Sequence, residues 1–162
     1  MVVTHGASAG KALSGCALTI GTFDGVHRGH RALIDRVIRR AKEARLASCA
    51  LTFEPHPREF FAARGAQPAP ARITRLRDKL ELMAAAGLDR VHVARFDARL
   101  ASLPATEFIE QVLVRGLGVR SLEVGRDFRF GKGRAGDAEL LKAEASRRID
   151  ELQEMTRRGR DH

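Results

Sequence analysis

Two histidines, His27 and His30, stand three residues apart in the string GTFDGVHRGH, Gly21 to His30. Each imidazole can donate an N–H to a phosphoryl oxygen, and does so more strongly once protonated. Placed across the start of a helix, both rings can point at the same anion. Gly21, Gly25 and Gly29 let the backbone turn tightly and approach a ligand. A helix that follows adds free N–H groups and a positive dipole end. The string is not a P-loop, because GxxxxGK[ST] is missing, and its glycine spacing is not GxGxxG. The chemistry it suits is displacement at a phosphorus atom. There the need is for donors aimed at charge developing on oxygen, not for a covalent nucleophile. Two other readings stay open. The histidines can merely cap a helix, or they can bind zinc, although no third ligand lies nearby.

Two more strings could line a ligand site. LTFEPHPREFF (Leu51 to Phe61) puts Pro55-His56-Pro57 in a rigid turn that holds His56 at little entropic cost. Its phenylalanines, Phe53, Phe60 and Phe61, can form an aromatic wall or simply pack in the core. GRDFRFGKGRAGD (Gly125 to Asp137) carries two phenylalanines among several cations, which suits a flat, phosphorylated ligand. Asp137 is expected to cap the helix after it.

These loops need elements to position them. Apolar runs at Cys16 to Ile20, Ala47 to Phe53, Arg90 to Phe96 and Ser121 to Val124 read as short strands. Between them lie helical patterns. Leu33, Ile34, Val37 and Ile38 mark one helix from about Gly29 to Arg45. Leu76, Leu80 and Met83 mark another, ended by Gly87. Phe108, Ile109, Val112 and Leu113 mark a third, stopped by Gly116 and Gly118. A last helix is expected from near Asp137 to about Arg158. The order βαβαβαβα predicts an α/β fold: a Rossmann-like parallel sheet with helices on both faces. Ligands of such sheets sit beyond the carboxyl ends of the strands, where the candidate loops fall.

Composition agrees with one globular domain. The chain has 162 residues, 44% hydrophobic and 30% charged, with no apolar run of membrane-spanning length. The first residues, MVVTHGASAGKALSG, carry no apolar signal core, so a cytoplasmic location is expected. Cys16 and Cys49 sit in apolar runs with no metal spacing and read as buried thiols. The net charge of +9 is spread along the helices, without the basic block or aromatic interleave of an RNA-binding sheet. Neither nucleic acid nor membrane is expected as a partner.

Taken together, the HxGH box and the wider strings resemble the HxGH nucleotidyltransferase superfamily. Within it they are similar to the N-terminal FMN adenylyltransferase domain of bacterial bifunctional riboflavin kinase/FAD synthetases. The resemblance covers about Ala17 to Leu141. It includes GxDFxFGxxRxGD, matched at Asp127, Phe128, Phe130, Gly131 and Arg134. It implies transfer of AMP from Mg-ATP to FMN, giving FAD and pyrophosphate, with Mg²⁺ accompanying ATP and no metal held by the protein alone. His27 and His30 would be catalytic. Gly21, Phe23, Asp24, Gly29, Asp127 and Arg134 would bind ATP. Phe53, Pro55, His56, Pro57, Phe61 and Phe128 would bind the flavin. From Glu144 the chain reads EASRRIDELQEMTRRGRDH, without the family's late SSTxIR-like motif, and the riboflavin kinase module is expected to be absent. The expected layout is therefore a flexible N-terminus over 1–15, the nucleotidyltransferase domain over 16–143 and a charged helical tail over 144–162. The final strand of the family fold is expected to be missing, which leaves a sheet edge open to self-association. The alternatives are a non-catalytic flavin- or nucleotide-binding remnant, or transfer to another phosphate acceptor.

Overall fold

The computed structural model describes residues 1–6, 15–23, 28–65, 75–125 and 128–160, apart from the side chains of 28, 29 and 152–160. Five strands form one parallel sheet: β1 (Val2–His5), β2 (Cys16–Ile20), β3 (Ala47–Glu54), β4 (Arg90–Arg95) and β5 (Val119–Glu123). Their order across the sheet is β1-β4-β3-β2-β5. Before β4 come the helices α1 (Arg28–Ala44), α2 (Pro57–Ala63) and α3 (Leu76–Ala86). Two short turns follow β4, α4 (Ala98–Ala101) and α5 (Ala105–Glu107), and α5 runs straight into a π-helix over Phe108–Gly116. A small antiparallel ribbon, β6 (Arg129–Phe130) with β7 (Gly136–Asp137), precedes α6 (Ala138–Arg160).

The central strands are apolar on both sides because both faces of the sheet are covered. Ala17, Ala50, Val91 and Val93 pack with Ile34, Val37 and Ala41 of α1 and Met83 of α3. Cys16, Leu18, Ile20, Cys49, Leu51 and Phe53 pack on the other face with the π-helix and with Leu141, Ala145 and Ile149 of α6. The two sets alternate along each strand, as the period of two requires. Cys16 and Cys49 are buried and free.

The four strands and the helices expected from sequence are present within a few residues. Gly87 closes α3 in the left-handed conformation, φ 100°, and the Asp137 carboxylate accepts from the Leu140 amide at 2.9 Å as α6 begins. Three features differ. The segment expected to be a flexible N-terminus contains β1, a short edge strand on β4. The stretch around Phe108 winds as a π-helix: its apolar face is the one expected, but its hydrogen bonds skip one residue more. The charged stretch from Glu144 continues the last helix as expected, but its Ala145 and Ile149 are part of the core.

The connections β2–β3 and β3–β4 step in one direction across the sheet, whereas β5 lies on the opposite side of β2. The chain order therefore reverses between β2 and β5. In open parallel sheets, ligands bind beyond the carboxyl ends of the strands at such a reversal.

Candidate active site

The first loop leaves β2 with the Gly21 amide bonded to the Leu51 carbonyl of β3 at 3.1 Å. Two residues on, Phe23 adopts a left-handed backbone, φ 51°, which a residue with a Cβ visits only under constraint. The constraint is burial: Phe23 is 1% exposed and packs in the same core as Ile34 and Val37. Its ring lies so close beneath Gly21 that a Cβ there would come within 3.2 Å of it. Asp24 and His27 lie outside the described residues. Gly29 falls in the first turn of α1, a turn without an acidic residue, which keeps that end attractive to anions.

His30 belongs to the inward stripe of α1, one turn ahead of buried Ile34 and in line with Val37 and Ala41. Its ring meets Phe23 edge-on, with centroids 5.2 Å apart and planes at 71°. Gly21, Phe23 and His30 are thus brought together at the carboxyl end of β2.

A lysine that the motifs did not indicate lies beneath this loop. Lys79 of α3 is 6% exposed. Its Nζ donates to the Thr22 carbonyl at 2.7 Å and to the Thr52 Oγ1 at 3.0 Å. The Thr52 hydroxyl in turn donates to the Thr22 carbonyl at 3.2 Å. The available signal was positional: Lys79 falls three residues after Leu76 and four before Met83, on the face of α3 that packs inward.

The second loop starts where β3 ends. The Glu54–Pro55 peptide is cis, Pro57 is the first residue of α2, and the His56 Nδ1 accepts from the Arg58 amide at 3.0 Å. His56 is therefore the N-cap of α2, and in that bond its ring proton resides on Nε2. Phe53, Phe60 and Phe61 gather around Phe96, each edge-on at 5.3–5.9 Å. Their exposures separate them. Phe53 is 9% exposed and packs in the core, whereas Phe61 is 41% exposed and presents its ring. Arg64 lies over Phe60, 4.4 Å from its centroid.

In the third loop, Asp127 lies outside the described residues. Phe128 is half-buried and stacks on Phe130 with centroids 5.7 Å apart and planes at 11°. Gly131, at φ 78°, passes so close to Ala105 that a Cβ would meet its backbone at 2.9 Å. The Lys132 amide donates to the Leu103 carbonyl at 2.8 Å, which ties the loop down. Arg134, with φ 55°, is exposed. Phe128 and Phe96 pack against the same core cluster, and among the described residues the ring contact of Phe128 is with Phe130.

Two cations midway along the last helix are engaged with glutamates. Arg147 pairs with Glu144 at 2.9 Å and with Glu151 at 2.7 Å. Arg148 pairs with Glu110 of the π-helix at 2.6 Å and with Glu151. No helix among the described residues is long and apolar enough to cross a membrane.

Residues 9–161 match the family described as FAD synthetase. The chain is 52% identical over 128 residues to a bifunctional riboflavin kinase/FMN adenylyltransferase of Escherichia coli (strain K12), covering 79% of this chain and 40% of that protein. It is 45% identical over 140 residues to the protein of the same name from Haemophilus influenzae, covering 86% and 44%. It is 38% identical over 138 residues to a putative bifunctional riboflavin kinase/FMN adenylyltransferase of Geobacillus thermodenitrificans, covering 85% and 73%. The chain thus spans about two-fifths of the length of the first two relatives. In fold it is similar to a macrolide-efflux protein from Streptococcus pneumoniae, with a TM-score of 0.76 over 89% of this chain and 47% of that one. At 21% identity that likeness speaks of the fold alone.

Proposed function

The chain belongs to the FAD synthetase family, and from that premise we propose that it is an FMN adenylyltransferase. A phosphate oxygen of FMN attacks the α-phosphorus of ATP. The bond from that phosphorus to the bridging oxygen breaks, and pyrophosphate leaves as FAD forms. No side-chain nucleophile is needed, so positioning and charge stabilisation carry the rate.

The observation that carries this reading is the place of His30. It stands at the N-terminal turn of α1, beside the point where strand order reverses, with its ring braced on Phe23. From there it would donate to the α-phosphoryl oxygens together with His27. Gly21, Phe23, Asp24 and Gly29 would shape the triphosphate side, with Asp127 and Arg134 closing over it. The flavin would lie toward the Pro55-His56-Pro57 turn, against Phe61 and Phe128. Phe53, being buried, would support that wall from behind. Among the described residues no three His, Cys, Asp or Glu side chains cluster. Mg²⁺ would accompany the triphosphate and offset its charge.

The test is to mix the chain with ATP, Mg²⁺ and FMN and to follow FAD and pyrophosphate by chromatography. Formation of both supports transfer to FMN. Flavin quenching without either product supports a second reading, binding without turnover. That second reading is favoured by one observation: Arg147 and Arg148 are committed to glutamates and not presented to a phosphate. Product formation from another phosphate acceptor, with no quenching of FMN, would reject the flavin assignment.

A further inference from the structure

We propose that Lys79 is a positioning residue for the transfer: its buried ammonium fixes the Thr22 carbonyl, and thereby the Phe23 turn against which the His30 ring stands. The inference rests on the adenylyltransferase reading for its effect on rate, but its geometric part does not.

A buried cation must recover its lost hydration from acceptors around it. On the inward face of α3, between Leu76 and Met83, an apolar side chain fills the space without giving up the hydration of an ammonium. Lys79 does something there that an apolar side chain cannot. The Thr22 carbonyl lies just beyond the end of β2 and receives two donors, Lys79 Nζ at 2.7 Å and Thr52 Oγ1 at 3.2 Å. Lys79 also donates to Thr52 Oγ1 at 3.0 Å, so ammonium, hydroxyl and carbonyl close a triangle. The peptide plane between Thr22 and Phe23 is thereby held in one orientation. The next torsion is the left-handed φ of Phe23, a conformation that persists only where its surroundings over-determine it. Burial of the ring fixes one side of that residue and Lys79 fixes the other. His30 then meets a Phe23 ring that cannot swing away. In this way α3, which contributes no motif residue, sets the position of a phosphate donor on α1.

The experiment uses the full chain, with Lys79→Met and Thr52→Val compared with wild type. Met fills a similar volume without a donor, and Val replaces the hydroxyl that bridges Lys79 and Thr22. Three quantities are read: melting temperature, kcat and FMN KM for FAD formation, and the ¹⁵N-labelled His30 ring signals. The expected result for Lys79→Met is a folded protein whose kcat falls on the order of 100-fold while FMN KM stays near wild type and the His30 ring signals shift. Thr52→Val should show the same pattern more weakly. A folded Lys79→Met with kcat within about twofold of wild type, or with unmoved His30 signals, overturns the proposal. If Lys79→Met does not fold, Thr52→Val decides by the same two readouts. If wild type makes no FAD, the functional reading fails on its own, and the His30 signals still settle whether Lys79 positions that ring.

Discussion

His30 carries the sharpest expectation of any single residue. Its ring is braced on Phe23 at the start of α1, and its work would be done on charge that develops only during transfer. His30→Ala should therefore lower kcat by about 10²–10³-fold, as loss of one such donor does elsewhere, and should hardly change flavin affinity. Turnover by chromatography and binding by flavin quenching separate the two, and unchanged turnover would remove His30 from the reaction. A second residue tests the third loop. Gly131 has a left-handed φ and touches the Ala105 backbone. Gly131→Ala should cost about 1–3 kcal/mol, read as a lower melting temperature; an unchanged one would mean that the loop moves aside freely. The glycine turn and the spacing of His27 and His30 marked the start of α1, and the structure places His30 there beside Phe23. Lys79 was not legible. A lysine in a helical pattern reads as solvent-facing, and only the packing of α3 under the Thr22 turn buries it. The double meaning of Phe53, Phe60 and Phe61 could not be resolved by spacing either. It took their arrangement around Phe96 to bury Phe53 and leave Phe61 exposed.

Elements were legible where burial is uniform. CALTI and ASCALTF are apolar throughout because the strands they form are covered on both faces, and α1 shows its stripe because only one face is covered. The strand β1 escaped notice because VVTH is short, half-exposed and held at an edge by particular bonds. Chief among these is His92 of β4. Its Nδ1 is 2.6 Å from the Thr4 hydroxyl and its Nε2 is 3.1 Å from the Gly6 carbonyl. With Nε2–H donating to the carbonyl, Nδ1 accepts from the hydroxyl, so the ring is bonded in its neutral form. Burial holds its pKa below the usual histidine value. The Gly6 carbonyl works against that shift, and nearby His5 adds to it. The unfolded chain takes up the proton near pH 6.5. The His92 contribution is therefore complete above that value and is lost as pH falls through it toward the lower folded pKa. Melting temperature should decline as pH falls below about 6.5, and His92→Gln should flatten that decline. An identical slope in the variant would assign the titration to another group. The joint between the π-helix and α6 responds at lower pH. Bonds from Arg148, then from Arg115, hold the Glu110 carboxyl below its usual range. Its contribution is present above the unfolded carboxylate pKa and is lost as pH falls through the depressed folded one. Glu110→Gln should lower the melting temperature modestly at neutral pH and leave it unchanged in acid. A difference that persists in acid would show that packing, not charge, made the joint.

At the scale of the whole molecule, the parallel direction of β2, β3 and β5 explains why the loops leaving these strands, distant in sequence, share one end of the sheet. The same topology leaves two outer strands. Among the described residues β1 pairs only with β4 and β5 only with β2, which makes these two the outer strands. Met1 and Val2, at 44% and 57% exposed, add apolar surface at the β1 edge. We infer self-association through such an edge, and the net charge of +9 dictates how it should respond to salt. Two copies repel each other, and ions shorten the reach of that repulsion to about 8 Å at physiological ionic strength. Added salt should thus strengthen edge pairing. Attraction of the same basic surface to nucleic acid would run the opposite way, because counterion release makes such binding weaken as salt rises. Light scattering over a range of salt and protein concentrations reads the first effect, and a gel shift over the same salt series reads the second. Growth in mass with salt, reduced by Val2→Lys, would assign the contact to the β1 edge. Growth unaffected by that substitution would assign it to β5. A monomer at every salt concentration, melting well above the roughly 45–65 °C of ordinary domains, would mean that neither edge is a liability and that the sheet is complete as it stands.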